Sequence, residues 1–349
     1  VGQGKIVVLG TGGTIAGTIT GTTAGTTAGT TAGTTAATVA GQSAAVPGQH
    51  LAYTSAQLGV AQLVQGLTPT TDLRVETEQV AQLDSKDMDE HVWQRLAARC
   101  AHWLDQPDVV GLVITHGTDT LEETAYFLER VLAPAKPVVL TCAMRPADAP
   151  MPDGPQNLRD ALAVAATPGA RGVLAVCAGT VHTARDVTKE HPDRLDAFTS
   201  GEAGPLGVVE DGHLRFLRPA PDPADPAAQS DVSARAARDA QAVARATRWP
   251  RVEIVLNHAG AGGALVQALV AQGVDGLVAA GTGNGTLSAP LQAALVQAHA
   301  QGVAVRRATR CARGQVLPHP GDLLPDSGGL SPFKARVALM LDLLAGPAV

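Results

Sequence analysis

Two threonines sit in glycine turns that can hold a reactive hydroxyl close to a ligand. The first is in Lys5-Ile-Val-Val-Leu-Gly10-Thr11-Gly-Gly-Thr14-Ile-Ala-Gly17, and the second is in Thr115-His-Gly-Thr118-Asp119-Thr120. A threonine hydroxyl is a weak nucleophile at its free pKa and needs a neighbouring base. Asp119 can hold an ammonium group or take part in proton transfer. The same Thr118-Asp119-Thr120 stretch is also a helix N-cap signal. Phosphate binding is the competing chemistry, and the spacing argues against it. A dinucleotide fingerprint requires glycine at the sixth position from Gly10, where the chain has Ile15. Gly12 and Gly17 have the P-loop spacing, but Thr18 replaces the lysine. Catalysis by threonine remains, with Thr11 as the nucleophile.

Both turns need strands in front of them. Ile6–Leu9 is a short apolar run that fits a strand buried on both faces, as in a parallel sheet. Residues 73–80 alternate as a second strand, and Val109–Thr115 is a strongly apolar third. Between them the pattern predicts a helix from Thr54 and another carrying Val92, Trp93, Leu96 and Trp103. Thr120 followed by Glu123 reads as a capping box for a helix over Leu121–Leu132. Strand and helix then recur through residues 137–142, 157–166 and 172–177, which implies a parallel, doubly wound α/β sheet. In the flavodoxin-like order 2-1-3-4-5, the first and third strands are neighbours, so Thr11 and Thr118 would face one crevice. A hairpin is expected to turn at Asp211-Gly212.

Proline at 219, 221, 223 and 226 marks a stiff linker over 219–249, with a helix expected over 232–246. This divides the chain into a large N-terminal domain, 1–218, and a smaller α/β C-terminal domain, 250–349. The smaller unit opens with a strand at Val252–Leu256 and closes with a helix over Ser331–Leu344. Residues 18–50 contain a four-residue Gly-Thr-Thr-Ala repeat with nothing large to bury. They are read as a long mobile loop whose repeat is a neutral insertion and whose C-terminal end, near Tyr53, acts as a lid.

The 349 residues suffice for two cores, and at 3% aromatic content those cores must be built from Ala, Val and Leu. A net charge of -6 gives no reason to expect a nucleic-acid partner, and no apolar run approaches a membrane span. No signal-peptide pattern precedes the first strand. Cys100, Cys142, Cys177 and Cys311 show no metal-binding spacing and read as free thiols, which suits a cytoplasmic protein. Neither a metal nor a cofactor is expected.

With these residues in view, the chain resembles the bacterial L-asparaginase family of the glutaminase-asparaginase type. The two threonine motifs carry the resemblance. So do Ser85-Lys-Asp-Met, Ala143-Met-Arg-Pro, Asp153-Gly-Pro, Arg185-Asp-Val-Thr-Lys189, Gly281-x-Gly-Asn-Gly285 and Lys334-Ala-Arg, in the family's order. It implies hydrolysis of L-asparagine to L-aspartate and ammonia, with Thr11 forming an acyl intermediate and Tyr53 assisting it. Thr118, Lys189 and Asp119 would form a hydroxyl–amine–carboxylate trio that relays protons. Ser85 and Asp119 would hold the substrate's α-carboxylate and α-ammonium. A homotetramer built as a dimer of dimers is also implied. Alternatives are a dual glutaminase-asparaginase, an ammonia-supplying amidase subunit and a non-catalytic amino-acid-binding protein.

The chain departs from the family's pattern at several points. The repeat lengthens the Thr11-to-Tyr53 spacing, which raises the entropy of closing the loop. Where members place a carboxylate that supports the tyrosine from a neighbouring subunit, Gln315–Pro320 has none, leaving His319 or Asp322 as substitutes. Gly260 and Lys86 stand where asparagine or serine, and glutamine or glutamate, are usual. No cysteine falls at the positions of the disulfide common in secreted members.

Overall fold

The computed structural model describes residues 4–19, 53–65, 67, 73–219 and 226–346. The Gly-Thr-Thr-Ala repeat, nearly all of the expected 18–50 loop and most of the 219–226 proline segment lie outside the described residues.

The first strand, β1 (Lys5–Gly12), is buried along its whole length. Its alternation splits two cores: Val7 and Leu9 enter one apolar cluster and Ile6 and Val8 the other. Helix α1 (Val60–Gln65) leads to β2 (Arg74–Leu83), which pairs in parallel with β1. Helix α2 (Glu90–Leu104), β3 (Val109–Thr115), α3 (Leu121–Leu132), β4 (Val138–Thr141), α4 (Gly154–Ala166) and β5 (Val173–Cys177) continue the alternation. Three antiparallel strands finish the sheet: β6 (Thr180–Thr183), β7 (Gly207–Glu210) and β8 (His213–Phe216). The order is β2-β1-β3-β4-β5-β6-β7-β8, so its parallel part has the expected 2-1-3-4-5 arrangement. The hairpin turns at Asp211-Gly212 as anticipated.

Helix α5 (Pro226–Arg245) occupies most of the stretch read as a linker. Arg130 on α3 donates to the fully buried Asp239 of α5 at 2.7 Å, and also to Asp342 at 2.9 Å. Beyond it a three-stranded parallel sheet is formed by β9 (Val252–Leu256), β10 (Gly276–Gly281) and β11 (Ala304–Thr309), in that order. Helices α6 (Ala264–Ala271) and α7 (Ala289–Ala300) enclose the apolar cluster on one face. The closing helix, α8 (Pro332–Ala345), puts Ala335, Val337, Met340 and Leu341 into the same core as Val7, Phe127 and Val278, joining the two units.

Three local expectations need correction. The helix expected from Thr54 starts only at Val60. Tyr53 and Thr54 pair with Ile19 and Thr18, and the amides of Ala56, Gln57 and Leu58 donate to the carbonyls of Gly13 and Ala16. The second strand is longer than 73–80, reaching Leu83. The capping box at Thr120 does not form, because its hydroxyl donates to the Ser85 carbonyl at 2.7 Å. Among the described residues, no helix is long and apolar enough to cross a membrane. All four cysteines are free, with Cys311 exposed and the other three buried.

Candidate active site

Three turns converge at the C-terminal ends of β1, β2 and β3. Gly13 has φ 82, a left-handed conformation open to glycine, and a Cβ there would lie 2.4 Å from Gly117 Cα and N. Gly117 in turn is pressed against Ser85: a Cβ on it would lie 2.4 Å from Ser85 Oγ. Each glycine is therefore required by close approach, and together they bring the Thr11 turn, Ser85 and the Thr118 turn into contact. The Gly13 amide donates to Leu83 O at 2.9 Å, which locks the first turn onto the end of β2.

Thr118 is buried, and its Oγ1 accepts a hydrogen bond from Lys189 Nζ at 2.8 Å. The same ammonium lies 2.7 Å from Asp119 Oδ1. The Lys189 side chain is mostly buried at 18% exposure, whereas Asp119 is half open at 53%, so the carboxylate faces the crevice and the amine stands behind it. Ser85 is buried, its Oγ accepts from the Asp119 amide at 3.2 Å, and its carbonyl takes Thr120. The expected trio Thr118–Lys189–Asp119 is thus assembled beside Ser85. The amides of Gly117 and Thr118 have no acceptor among the described residues.

The other half is arranged differently. Thr11 is buried at the end of β1 and its hydroxyl donates to the Thr115 carbonyl at 2.9 Å. Tyr53, 41% exposed, pairs its hydroxyl with Thr14 Oγ1 at 2.9 Å and not with Thr11. Tyr53 is carried by the two-residue ladder with Ile19, and its ring abuts Gly17. It lies at the same turn as Thr11 without a hydrogen bond to it.

Several residues serve this site in ways the sequence did not reveal. Glu122, the second residue of α3, uses its carboxylate to accept the Lys189 amide at 2.9 Å. Burial raises the Glu122 carboxyl, and the charge of Lys334 opposes that rise. His116 is fully buried, with Nδ1 2.8 Å from the Gly117 carbonyl, and burial lowers its pKa to about 4. It is a neutral donor that fixes the Gly117 carbonyl. Asp153 accepts the amides of Met144 and Arg145, both at 2.9 Å, while Asn157 bridges Cys142 O and the Ala178 amide. The Ala143-Met-Arg-Pro and Asp153-Gly-Pro motifs are therefore one scaffold. It supports the segment after Thr11 through Ala147 N to Gly17 O at 2.9 Å and through Asp148, which accepts the Ile19 amide at 2.8 Å.

Of the residues that depart from the family's pattern, Lys86 is exposed and paired with Asp84 and Asp87. Gly260 has open space where a Cβ would be. Asp322 is engaged within its own domain, by Arg307 and by the His319 amide at 2.8 Å. That amide bond, and then the Arg307 guanidinium, hold its carboxyl below the usual range. Among the described residues no group of three or more His, Cys, Asp or Glu could hold a metal ion.

Comparison with known proteins agrees with this geometry. Residues 5–222 match the family described as Asparaginase, N-terminal, and residues 251–347 match the Glutaminase/Asparaginase C-terminal domain. The chain is 38% identical to L-asparaginase 2 of Escherichia coli (strain K12), covering 83% of this chain and 82% of that protein. It is 33% identical to the glutaminase-asparaginase of Pseudomonas fluorescens biotype A, covering 97% and 86%. A crystal structure of a probable cytoplasmic L-asparaginase from Campylobacter jejuni superposes with a TM-score of 0.80 at 32% identity, covering 98% of this chain and 95% of that one. Two glycine turns locked across the first and third strands, with a threonine on each, thus coincide with full-length similarity: the chain belongs to the asparaginase family of enzymes.

Proposed function

We propose that this protein hydrolyses the side-chain amide of L-asparagine, giving L-aspartate and ammonia through an ester on Thr11. The observation that carries the reading is the contact of Gly13 with Gly117, which sets Thr11 beside the assembled Thr118–Lys189–Asp119 trio. The relatives named as asparaginases support the choice of substrate.

Asp119 takes Lys189 on Oδ1, which leaves Oδ2 to receive the substrate's α-ammonium. Ser85 would receive the α-carboxylate. With the substrate anchored there, Thr11 Oγ attacks the amide carbon, and charge develops on the amide oxygen. The Gly117 and Thr118 amides, without an acceptor among the described residues, would donate to it, and one such donor is worth about 100- to 1,000-fold in rate. The proton lost by Thr11 ends on the leaving nitrogen, relayed through the Thr118 hydroxyl and the Lys189 amine. Ammonia departs, water attacks the ester, and its proton returns to Thr11 Oγ as aspartate leaves. The Thr11 hydroxyl must turn from Thr115 O as it reacts, and Tyr53 must leave Thr14 to assist it.

Several relatives are glutaminase-asparaginases, so glutamine is the second substrate to test. The test compares ammonia release from asparagine and from glutamine by purified protein. Turnover of asparagine supports the proposal, and release from neither substrate overturns it in favour of a binding protein. We further propose a homotetramer in the cytoplasm, built as a dimer of dimers. Support comes from Leu256, Leu265, Leu317, Leu323 and Phe333, each at least half exposed on the C-terminal unit, and from the four free cysteines. Sedimentation velocity tests the assembly, and a monomer overturns it.

A further inference from the structure

Lys334 is a charged residue in a place that opposes it. It lies in the first turn of α8, where the helix macrodipole disfavours a cation, and it is only 2% exposed. A buried ammonium is costly unless its hydrogen bonds are made. Here Nζ donates to the carbonyl of Arg185 at 2.7 Å and to that of Val187. Both carbonyls belong to the short segment between β6 and Lys189. Arg185 sends its guanidinium back to Gly328 O at 2.8 Å, so the C-terminal unit holds this segment at two points. From the other side Glu122 accepts the Lys189 amide at 2.9 Å, and Lys189 pairs with Phe198 in a two-residue ladder. Lys189 Nζ reaches Thr118 and Asp119 from this double support.

We infer that Lys334 is a positioning residue: the C-terminal unit, through its ammonium, sets the backbone of Arg185–Val187 and so the reach of Lys189 to Thr118. The inference rests on the proposed role of Lys189 in proton relay. The charges agree with the geometry, because Glu122 and Asp186 stabilise the ammonium that burial otherwise weakens. Arg336, two residues on, makes a parallel tie, donating to Val252 O at 3.0 Å and to Glu90 at the start of α2. The Lys-Ala-Arg motif therefore joins α8 to the segment bearing Lys189 and to the helix that follows Ser85. Misplacing a proton-relay group by about 1 Å costs on the order of a hundredfold in rate. Lys334 makes no direct hydrogen bond to Ser85 or Asp119, the residues proposed to anchor the substrate.

The test uses the full chain with Lys334→Met, which keeps the aliphatic stem and removes the donors. Expected are a fall in kcat of about 10- to 100-fold, with KM changed by less than about threefold. Amide exchange at Lys189 should quicken at least about tenfold, while the amides of Val7 and Leu112 keep their protection. Unchanged kcat and unchanged Lys189 exchange in a folded Lys334→Met protein would overturn the inference. If that variant does not fold, Arg185→Ala removes the other tie at an exposed side chain. Faster Lys189 exchange there supports the strap and unchanged exchange overturns it. Should the wild-type protein release no ammonia, the functional reading fails, and the exchange experiment still tests the strap by itself.

Discussion

The two threonines occupy similar turns in unequal surroundings. Thr118 already has an amine at 2.8 Å, and that amine is held by Asp119 and by a backbone tied to Glu122 and Lys334. Every member of that chain comes from an element packed into the core or from a segment bonded to one. Thr11 spends its hydroxyl on a main-chain carbonyl, and Tyr53 faces Thr14 from a half-exposed two-residue ladder. In the proposed mechanism the relay would therefore use bonds the fold already makes, whereas activating Thr11 would require two hydrogen bonds to be exchanged. A preorganised group acts at no reorganisation cost during reaction, and one that must swap partners does not.

Removal of either hydroxyl is expected to have the largest effect. Thr11→Ala and Thr118→Ala should each lower kcat for asparagine by about 1,000-fold or more, with melting temperatures within a few degrees of wild type. Near-normal turnover by either variant would remove that threonine from the mechanism. Next in size is the contrast between the helpers. Lys189→Met should cost about 100- to 1,000-fold in kcat, and Tyr53→Phe only about 10- to 100-fold. A larger loss at Tyr53 than at Lys189 would invert the assignment of preorganised and recruited halves.

The assembled half should also be the acid-sensitive one. His116 underlies the Thr118 turn, and His182, bonded to Ser200 at 2.8 Å, lies near Lys334. Burial lowers both to about 4 from an ordinary 6.5, and for His182 the Lys334 charge adds to the effect. The unfolded chain takes up these protons below about pH 6.5 and the folded one only near 4, so stability is full above 6.5 and is lost as pH falls towards 4. For each buried ring, the fall of pH through that window withdraws on the order of 3 kcal/mol of stability. Denaturant titrations from pH 7 to 4 should show that decline, with a smaller slope in His182→Gln. Identical slopes would mean that His182 is not the group titrating. The smallest effect is expected from deleting residues 21–36. The Thr18–Thr54 and Ile19–Tyr53 pairing lies outside the deletion, so kcat should stay within about tenfold. Complete loss would give the repeat a catalytic role.

The framework of this site was legible in the sequence because it is local. Apolar runs ending in glycine announced the strands and their turns, and the order of the parallel strands placed Thr11 and Thr118 together. What escaped was tertiary. Glu122 looked like part of a helix start, and its role appears only once Lys189 folds back onto α3. Thr120 had the spacing of a cap, but Ser85 O offered its hydroxyl a buried acceptor instead. Lys189 stands on a two-residue ladder without periodicity, so resemblance alone singled it out. The burial of Lys334 cannot be read from a helical pattern, since lysine in a first turn ordinarily faces water.

In the proposed mechanism Thr11 is acylated while the Thr118 side moves protons. Acid quenching during turnover of asparagine, followed by peptide mapping by mass spectrometry, tests it most directly. An aspartyl ester is expected on the peptide carrying Thr11, absent from Thr11→Ala. An ester on the peptide carrying Thr118, with Thr11 unmodified, would contradict it.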